Sequence, residues 1–344
     1  YTLAGVHYDI ILHSRPLQLP NPMALSVDRA DLLVNEVLVG FGGVQDTVTV
    51  LGLIYGCKLA TSGICKLWKA LYGHIFSKLY PVTNFADKFG NWAIITRATG
   101  DVSKEFAKQL ARRGLSIILL DYDLEGLKEL SKEIEHDYNI ETQILQLVDL
   151  NSLANLEALI KNKSVGVLVN NACYSDLPGY FTELSRKSIN DMMNINIVFA
   201  TNIIYTVLPF MLVAQKGVII NLASAASSKP VPLLQVFSAS QAYIDYLTRC
   251  LQWEYRDTKL IFQYLDPFLI QSPRAPIEMP LKLSCLSTYP DVYVHHALST
   301  LTYSGRTSGH WLHGIMHALY GMLPVPISMP VLGYYLLYWR AYKA

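Results

Sequence analysis

The sequence predicts an α/β fold: a doubly wound parallel sheet with helices on both faces, preceded by an N-terminal apolar, transmembrane helix and followed by a C-terminal apolar cap. Three observations predict it. From Trp92 onward short apolar runs alternate with amphipathic stretches, and strands buried on both faces with helices between them form a parallel sheet of βαβ units. Residues 37–65 carry only Asp46 and Lys58 as charges. Between Arg306 and Arg340, 33 residues contain no Asp, Glu, Lys or Arg. The composition agrees: of 344 residues 51% are hydrophobic and 16% charged, against about 25% charged in an average soluble domain, and mean hydropathy is +0.25. Such a balance excludes a disordered chain. A formal net charge of +1 leaves no electrostatic footprint for nucleic acid. Five scattered cysteines with no CxxC argue against a secreted disulfide framework and a structural zinc site. What remains is a Rossmann-like sheet carrying extra apolar surface.

The elements follow in order. Residues 1–35 have no clean period and hold Pro16, Pro20 and Pro22, so an irregular N-terminal arm is expected. The first residue is Tyr1 rather than Met, so either a targeting segment has been removed, which leans toward mitochondria, or the true start is missing. Residues 36–84 are expected to form a membrane-associated helical segment. Within it Thr47–Cys65 is 19 residues long with Lys58 its one charge, close to the ~20 that cross a bilayer. Lys58 would have to snorkel or pair; a buried or interfacial helix is the alternative. Asp28, Asp31, Glu36 and Asp46 precede the apolar stretch with one Arg29, while Lys58, Lys66, Lys69, Lys78 and Lys88 accompany or follow it. The positive-inside rule then puts the following domain on the matrix or cytosolic side of an organelle membrane.

Residues 85–272 carry the sheet. Trp92–Thr96, Ile117–Leu120, Ile144–Val148, Val165–Val169, Val218–Leu222 and Leu260–Leu265 read as strands; Lys104–Arg113, Leu124–Tyr138, Leu153–Lys161, Arg186–Gln215 and Ser238–Arg256 read as helices. Gly114 follows the first of these helices as a C-terminal glycine should. Residues 273–344 form an apolar extension that Pro324, Pro326 and Pro330 interrupt, so one straight membrane helix is not expected there. A broken cap lying on a membrane or a partner fits this pattern; packing over the sheet as ordinary core is the alternative. Tyr334, Tyr335, Tyr338, Trp339 and Tyr342, beside Arg340 and Lys343, suggest an aromatic belt at a membrane surface.

A βαβ sheet that opens strand–turn–helix binds a dinucleotide at its first turn. Here that turn runs from Thr96 to Lys104. Downstream, Asn170-Asn171-Ala172-Cys173 follows the fourth strand, and Asn196 stands 13 residues before Pro209. Ser224 closes the fifth strand and Phe237-Ser-Ala-Ser-Gln241 begins 13 residues later. Over roughly Trp92–Ser272 these landmarks resemble the short-chain dehydrogenase/reductases. GNWAIIT, VGVLVNN, KPVPLLQVFSAS and SGRTSGHW narrow the likeness to the membrane-bound branch of hydroxysteroid dehydrogenases and ketoacyl-CoA reductases. Within that branch the chain looks most like the inactive hydroxysteroid dehydrogenase-like proteins.

That resemblance implies hydride transfer between NAD(P)H and a carbonyl or alcohol, with a Tyr as general acid/base and a Lys one turn on that lowers the Tyr pKa. In the same scheme a Ser orients the carbonyl and an Asn supports the proton relay. This chain retains Asn196 and Ser224 but has Phe237 for the Tyr and Gln241 for the Lys. Loss of a positioned acid/base forfeits about 10²–10⁴ in rate. Tyr243 and Tyr246 lie about 240° and 180° around a helix from position 237, so neither replaces it. The family's TGxxxGxG needs glycines for positive φ and for close approach to pyrophosphate. After Thr96, those three positions are Arg97, Asp101 and Ser103, and the glycine of NNAG is Cys173. One like-charge contact between Asp101 and a phosphate, at ~4 Å and an effective dielectric near 20, costs on the order of 4 kcal/mol. The counter-reading is that Arg97 grips a phosphate and Gly100 re-registers the turn. Asp121 and Asp149 match ribose-side and adenine-side positions. Asn170 completes the set of inherited cofactor positions.

Two further groupings take bland readings. His310, His313 and His317 align along one helical face with no carboxylate or thiol near them, which suits a core or interfacial face better than a metal site. Cys173 has no His at a motif-like distance and reads as a buried apolar thiol. The expected function is therefore a pseudoenzyme without cofactor or metal, tethered to an organelle membrane, with the mitochondrial inner membrane favoured over the endoplasmic reticulum. Its expected partners are membrane lipid, other protein subunits or a second copy of itself. The alternatives are a membrane NAD(P)-dependent reductase of steroid or long-chain acyl carbonyls with a rearranged proton relay, and a soluble small-molecule sensor.

Overall fold

A computed structural model describes residues 22–79, 85–271 and 287–343. The chain divides into two compact units, Tyr1–Thr61 and Ser62–Ala344. Helix α1 (Pro22–Leu79) is unbroken, which corrects the expected irregular arm: residues 22–35 are helical, while Pro16 and Pro20 lie outside the described residues. Pro22 sits in the first turn, where its missing N–H breaks no helical bond, and Met23–Glu36 contains no further Gly or Pro. Within α1, Val44–Cys65 is long and apolar enough to cross a membrane, with a mean hydropathy of 1.5. Val48, Leu51 and Ile54 point to the outside. The Thr49 and Thr61 hydroxyls donate back to the Gln45 and Cys57 carbonyls, each at 2.8 Å, so neither is left bare toward an apolar surrounding.

The second unit is built on a parallel sheet of seven strands: β1 (Trp92–Thr96), β2 (Ser116–Asp121), β3 (Thr142–Gln146), β4 (Val165–Asn171), β5 (Gly217–Leu222), β6 (Leu260–Leu265) and β7 (Arg306–Thr307). Their order across the sheet is β3-β2-β1-β4-β5-β6-β7. β2 and β4 flank β1 on opposite sides, so the chain crosses over in opposite directions from it. Rossmann-like sheets open a crevice at that switch point, beyond the strands' C-terminal ends. Apart from the short α2 (Phe85–Phe89), which leads into β1, helices cover both faces. On one, α3 (Asp101–Ala111), α4 (Leu124–Tyr138) and α9 (Pro290–Ser299) pack through Phe106, Leu127 and Tyr293. On the other, α5 (Ser152–Ile160) and α7 (Ala200–Ala214) pack through Leu156, Ile203 and Val207.

Several boundaries differ from the sequence reading. β3 begins and ends two residues earlier, because Val148 is exposed beyond the strand. The stretch from Arg186 is not one regular helix: α6 (Arg186–Met193) passes into a π-helical segment, Asn194–Phe199, before α7. Arg186–Ala214 also has the length and hydropathy of a span, but its Ile203, Val207 and Met211 are buried in the sheet-side core. The cut after residue 272 does not follow the fold either. β7 pairs with β6 and α9 packs against the first face, so the α/β domain takes in elements beyond residue 286.

The last helices are α10 (Trp311–Met322) and α11 (Val325–Lys343), bent by 120° to one another at a break holding Pro324. Both expectations for this cap hold in part. Leu336 packs with Val231 and Leu233 as core, whereas Ile327, Val331, Tyr334 and Tyr338 are exposed. Trp339 is 6% exposed, which removes it from the expected exposed belt: the helical period that turns Tyr334 and Tyr338 outward turns Leu336 and Trp339 in.

Candidate functional site

Strand ends and the loops after them surround a crevice of about 450 Å³. It is bounded by the turn after β1, through Arg97 and Asp101, and by Asp121 at the end of β2. Cys173 after β4, Ser224 after β5 and Phe237 of α8 (Gln235–Glu254) complete the ring. Six of the residues singled out in the sequence thus share one cavity, at the switch point where this topology places a ligand.

The first turn has an unusual local conformation. Arg97 has φ +47°, in the left-handed region that costs an L-residue with a side chain roughly 1–2 kcal/mol relative to its usual conformations. Its guanidinium carbon lies 5.5 Å from the centre of the Tyr174 ring. Gly100 precedes α3, and Asp101 puts a carboxylate in the helix's first turn, where the helix dipole attracts it. Ser103 is fully buried: its hydroxyl donates to the Thr96 carbonyl at 3.0 Å and accepts from the Asn171 amide at 2.8 Å. The Thr96 hydroxyl accepts from the Asn171 backbone N–H. At the edge of β2, Asp121 accepts from the Thr99 N–H and hydroxyl at 2.8 and 2.6 Å through one oxygen, and from the Tyr122 N–H through the other. Its carboxylate straps the turn to the sheet.

Across the crevice Phe237, 9% exposed, contributes a hydrocarbon ring to the wall. Gln241, one turn on, is fully buried. Its amide donates to the Ala172 carbonyl at 2.6 Å, and its oxygen accepts from the Cys173 thiol at 3.4 Å. Burial pushes that thiol up to about 12, against a smaller downward pull from Arg97, which favours the unreactive thiol form over the nucleophilic thiolate. Ser224 accepts the Ala226 N–H at 3.3 Å and caps the short turn after β5. Asn196 lies in the π-helical segment and is fully buried. It accepts from the Tyr174 N–H and donates to the Tyr174 carbonyl and the Ser240 hydroxyl, all within 2.9 Å. Tyr243 and Tyr246 face outward, Tyr243 bonding to Thr201.

Two of the degenerate cofactor positions lie apart from the crevice lining. Asn170 donates to the Ala200 carbonyl and the Asn221 side chain, and lines no part of the crevice. Asp149 is exposed and caps α5 through the Ser152 N–H. Successive strand residues point to opposite faces, so it is Asn171 that reaches the crevice; strand periodicity alone could have selected it. Phe268, Leu269 and Ile270 form the remaining rim; Asp266-Pro267-Phe268 stands where the family's PG turn is usual, while Leu269 and Ile270 belong to no motif. At the end of β6, Asp266 accepts from Nε and Nη2 of Arg306 at 3.2 and 3.0 Å, while Arg306 Nη1 also donates to Asp245 at 3.1 Å. His317 donates to the Asp266 carbonyl at 2.8 Å. His310 accepts the Leu312 N–H, and His313 is fully buried with its Nε2 3.4 Å from the Thr288 hydroxyl. His310 and His313 also meet edge to face at 5.6 Å, and His317 Nε2 lies 3.6 Å from the Asp266 carboxylate, a carboxylate the sequence reading did not place near the histidines.

Comparison with known proteins bears on the same region. The short chain dehydrogenase family pattern matches residues 91–276. The human inactive hydroxysteroid dehydrogenase-like protein 1 is 36% identical over 306 residues, 87% of this chain and 92% of the relative. The very-long-chain 3-oxoacyl-CoA reductase of Rattus norvegicus is 34% identical over 244 residues, 69% of this chain and 77% of the relative. Among solved structures a 7β-hydroxysteroid dehydrogenase superposes with a TM-score of 0.66 at 19% identity, covering 73% of this chain and 99% of that one. A short-chain dehydrogenase from Sphingobium yanoikuyae in complex with NADPH gives 0.57 at 22% identity, covering 63% and 86%.

Proposed function

Because the chain belongs to the short-chain dehydrogenase family, we propose that it is a silent member of it, a pseudoenzyme held at an organelle membrane by α1 with a structural or accessory-subunit role in a membrane assembly. The observation that carries this reading is Phe237. It lines the crevice with Ser224, yet its ring has no proton to give or take. Gln241 adds a neutral amide tied to backbone where an activating cation would stand. The inactive hydroxysteroid dehydrogenase-like relatives, at 30–36% identity, are named in the same sense, whereas the 34% identical 3-oxoacyl-CoA reductases are not.

The crevice does not fit a dinucleotide at its phosphate end. Arg97 brings a full side chain into a left-handed turn where close backbone approach needs glycine. Asp101 sets a negative charge at the helix start that would otherwise receive the diphosphate. Both Asp121 oxygens are already engaged by Thr99 and Tyr122. No reaction step is assigned to the site.

The direct test is a fluorescence titration of the detergent-solubilised full chain with NADH and NADPH, followed by an assay with ketosteroid and 3-oxoacyl-CoA substrates. The expected result is no saturable binding and no turnover. Saturable binding in the micromolar range, or ketone reduction by the unmodified chain, would establish instead a reductase with a rearranged relay. Retention of Ser224 on the crevice wall is that reading's one structural support. On the silent reading, lipid and protein subunits are the partners, and the mitochondrial inner membrane, with the α/β domain on the matrix side, is the preferred location. Protease protection in intact organelles tests the last point.

A further inference from the structure

The elbow joining α10 and α11 presents an apolar surface that the α/β domain does not use. Met322, Leu323, Val325, Ile327 and Val331 are all exposed, inside the 33-residue stretch without Asp, Glu, Lys or Arg. Neither leg alone has the length and hydropathy of a span, although the bent pair taken together has. At 12 residues α10 is about 18 Å long, against roughly 30 Å of hydrocarbon. The second leg is committed to the domain: Leu336 packs on Val231 and Leu233, and Arg340 makes a two-pronged pair with Glu183. Gly63, in the last turn of the span Val44–Cys65, is buried, and a Cβ there would lie 3.0 Å from Met322 Cε. The elbow thus meets α1 at the end of its most apolar stretch.

The break is also prepared for an apolar setting. A broken helix frees carbonyls, and in lipid these must be satisfied by the protein. Lys229 donates from its ammonium to the carbonyls of Tyr320 and Leu323 at the end of α10. The same ammonium stands 4.3 Å from the centre of the Tyr320 ring.

We propose that the α10–α11 elbow is a second membrane-docking element, which sinks Leu323, Val325 and Ile327 into one leaflet beside the end of the span. This rests on the reading of Val44–Cys65 as a membrane helix. The committed occupant is lipid hydrocarbon, because the exposed elbow residues are uncharged, the Lys229 ammonium beside them is engaged by the Tyr320 and Leu323 carbonyls, and the patch is continuous with the span's end through Met322 and Gly63. Ala226 and Leu234 pack against the Val231–Leu336 cluster and also line the crevice. Docking would therefore bring the crevice wall close to the lipid surface.

The test uses the full chain. A span-disabled form, Leu51→Arg/Ile54→Arg, is mixed with phosphatidylcholine vesicles at about 1 M salt, where charge attraction is screened, and floated on a density gradient. It is expected to float with the vesicles. Adding Leu323→Glu/Ile327→Glu should lower the floated fraction at least tenfold, whereas Leu323→Phe/Ile327→Leu should leave it unchanged. Gel filtration and circular dichroism check that all forms stay folded. As a second measurement, a photoreactive benzoylphenylalanine at Ile327 of the otherwise unmodified, vesicle-reconstituted chain should crosslink to phosphatidylcholine, and one at Tyr246 on the domain should not. The proposal is overturned if the folded span-disabled chain stays in the aqueous layer or if it floats equally with the glutamates. It is equally overturned if the Ile327 probe captures a second copy of the chain in place of lipid. Release of the unmodified chain by alkaline carbonate would defeat the span reading alone, since that outcome does not depend on the elbow residues.

Discussion

Replacement of Arg306 by Met tests whether the closing strand is held by charge. In the folded chain Arg306 lies between two carboxylates whose side chains are 8% and 4% exposed, Asp245 and Asp266. Met keeps much of the volume but leaves Asp266 without its guanidinium, while Asp245 retains Arg249 at 3.3 Å. Removing one partner of a buried pair costs about 3–5 kcal/mol because the survivor stays desolvated. Arg306 is itself 42% exposed, and water can partly replace it, so about 2–3 kcal/mol is the working figure. At about 2–4 °C per kcal/mol for a chain of this size, the melting temperature should fall by about 4–12 °C.

The pH dependence fixes the cause. Burial raises the Asp266 pKa, and His317 and Arg306 pull it back down; without Arg306 it rises further. A carboxyl whose folded pKa is raised binds its proton more tightly in the native state. Its contribution to stability is therefore most favourable below the unfolded pKa and is lost as pH rises through the folded one. The Met variant's deficit should accordingly be largest near pH 7.5 and shrink toward pH 5, and Asp266→Asn in the same background should recover at least half of it. Thermal melts in neutral detergent at the two pH values supply the measurement. A deficit under about 1 kcal/mol at pH 7.5, or one equal at both pH values, refutes the argument.

Other substitutions discriminate between local causes. Gly309 has φ +76° and a Cβ there would sit 2.5 Å from the Tyr293 hydroxyl, so Gly309→Ala should destabilise by about 3 kcal/mol or more. Gly333→Ala, whose Cβ meets Pro232 at an ordinary 3.5 Å, should be neutral or stabilising by about 0.5–1 kcal/mol in the same melts. With its thiol held near 12, Cys173 should react with iodoacetamide at pH 8 at least about a hundredfold more slowly than the exposed Cys250, as peptide mapping would show. Arg340→Ala removes a pair whose side chains are 39% and 44% exposed, and should leave the melting temperature nearly unchanged because exposed ion pairs contribute little.

The α/β framework was readable because its signal is local. Runs such as Val165–Val169 and Val218–Leu222 are uninterrupted apolar segments, and both lie within the parallel strands observed. β7 was not readable: two polar residues, Arg306 and Thr307, carry no period, and their place depends on Asp266 and Asp245, 40 and 61 residues away. Nor was the π-helical segment at Asn194–Phe199, since one wide turn leaves the apolar spacing on either side intact. Helical residues 22–35 were hidden by prolines, two of which precede the described part of the chain. At the crevice, motif spacing selected Arg97, Ser224 and Phe237 correctly as neighbours. It could not show that Asn170 points to the core or that Asp149 serves as a cap, since both depend on which way a side chain faces.

The substituted positions share a physical property that bears on why the fold persists. Replacing a glycine with serine at a crowded helix start ordinarily buries a hydroxyl at a cost of about 1–3 kcal/mol if nothing receives it. Here Thr96 and Asn171 receive the Ser103 hydroxyl. The Gln241 amide is buried, yet Ala172 and Cys173 satisfy it. Asp121 would face an empty ribose site, yet Thr99 occupies its oxygen. The Ser103 hydroxyl, the Gln241 amide and an Asp121 oxygen thus each have a partner within the chain. On the proposed reading the crevice is therefore internally satisfied rather than vacant in energetic terms, and reinstating glycine at 103 should lower stability before it restores any affinity. That ordering separates a site rebuilt for structure from one merely decayed: in a decayed site Ser103→Gly would raise the melting temperature, and in this one it should lower it by breaking the link between Thr96 and Asn171.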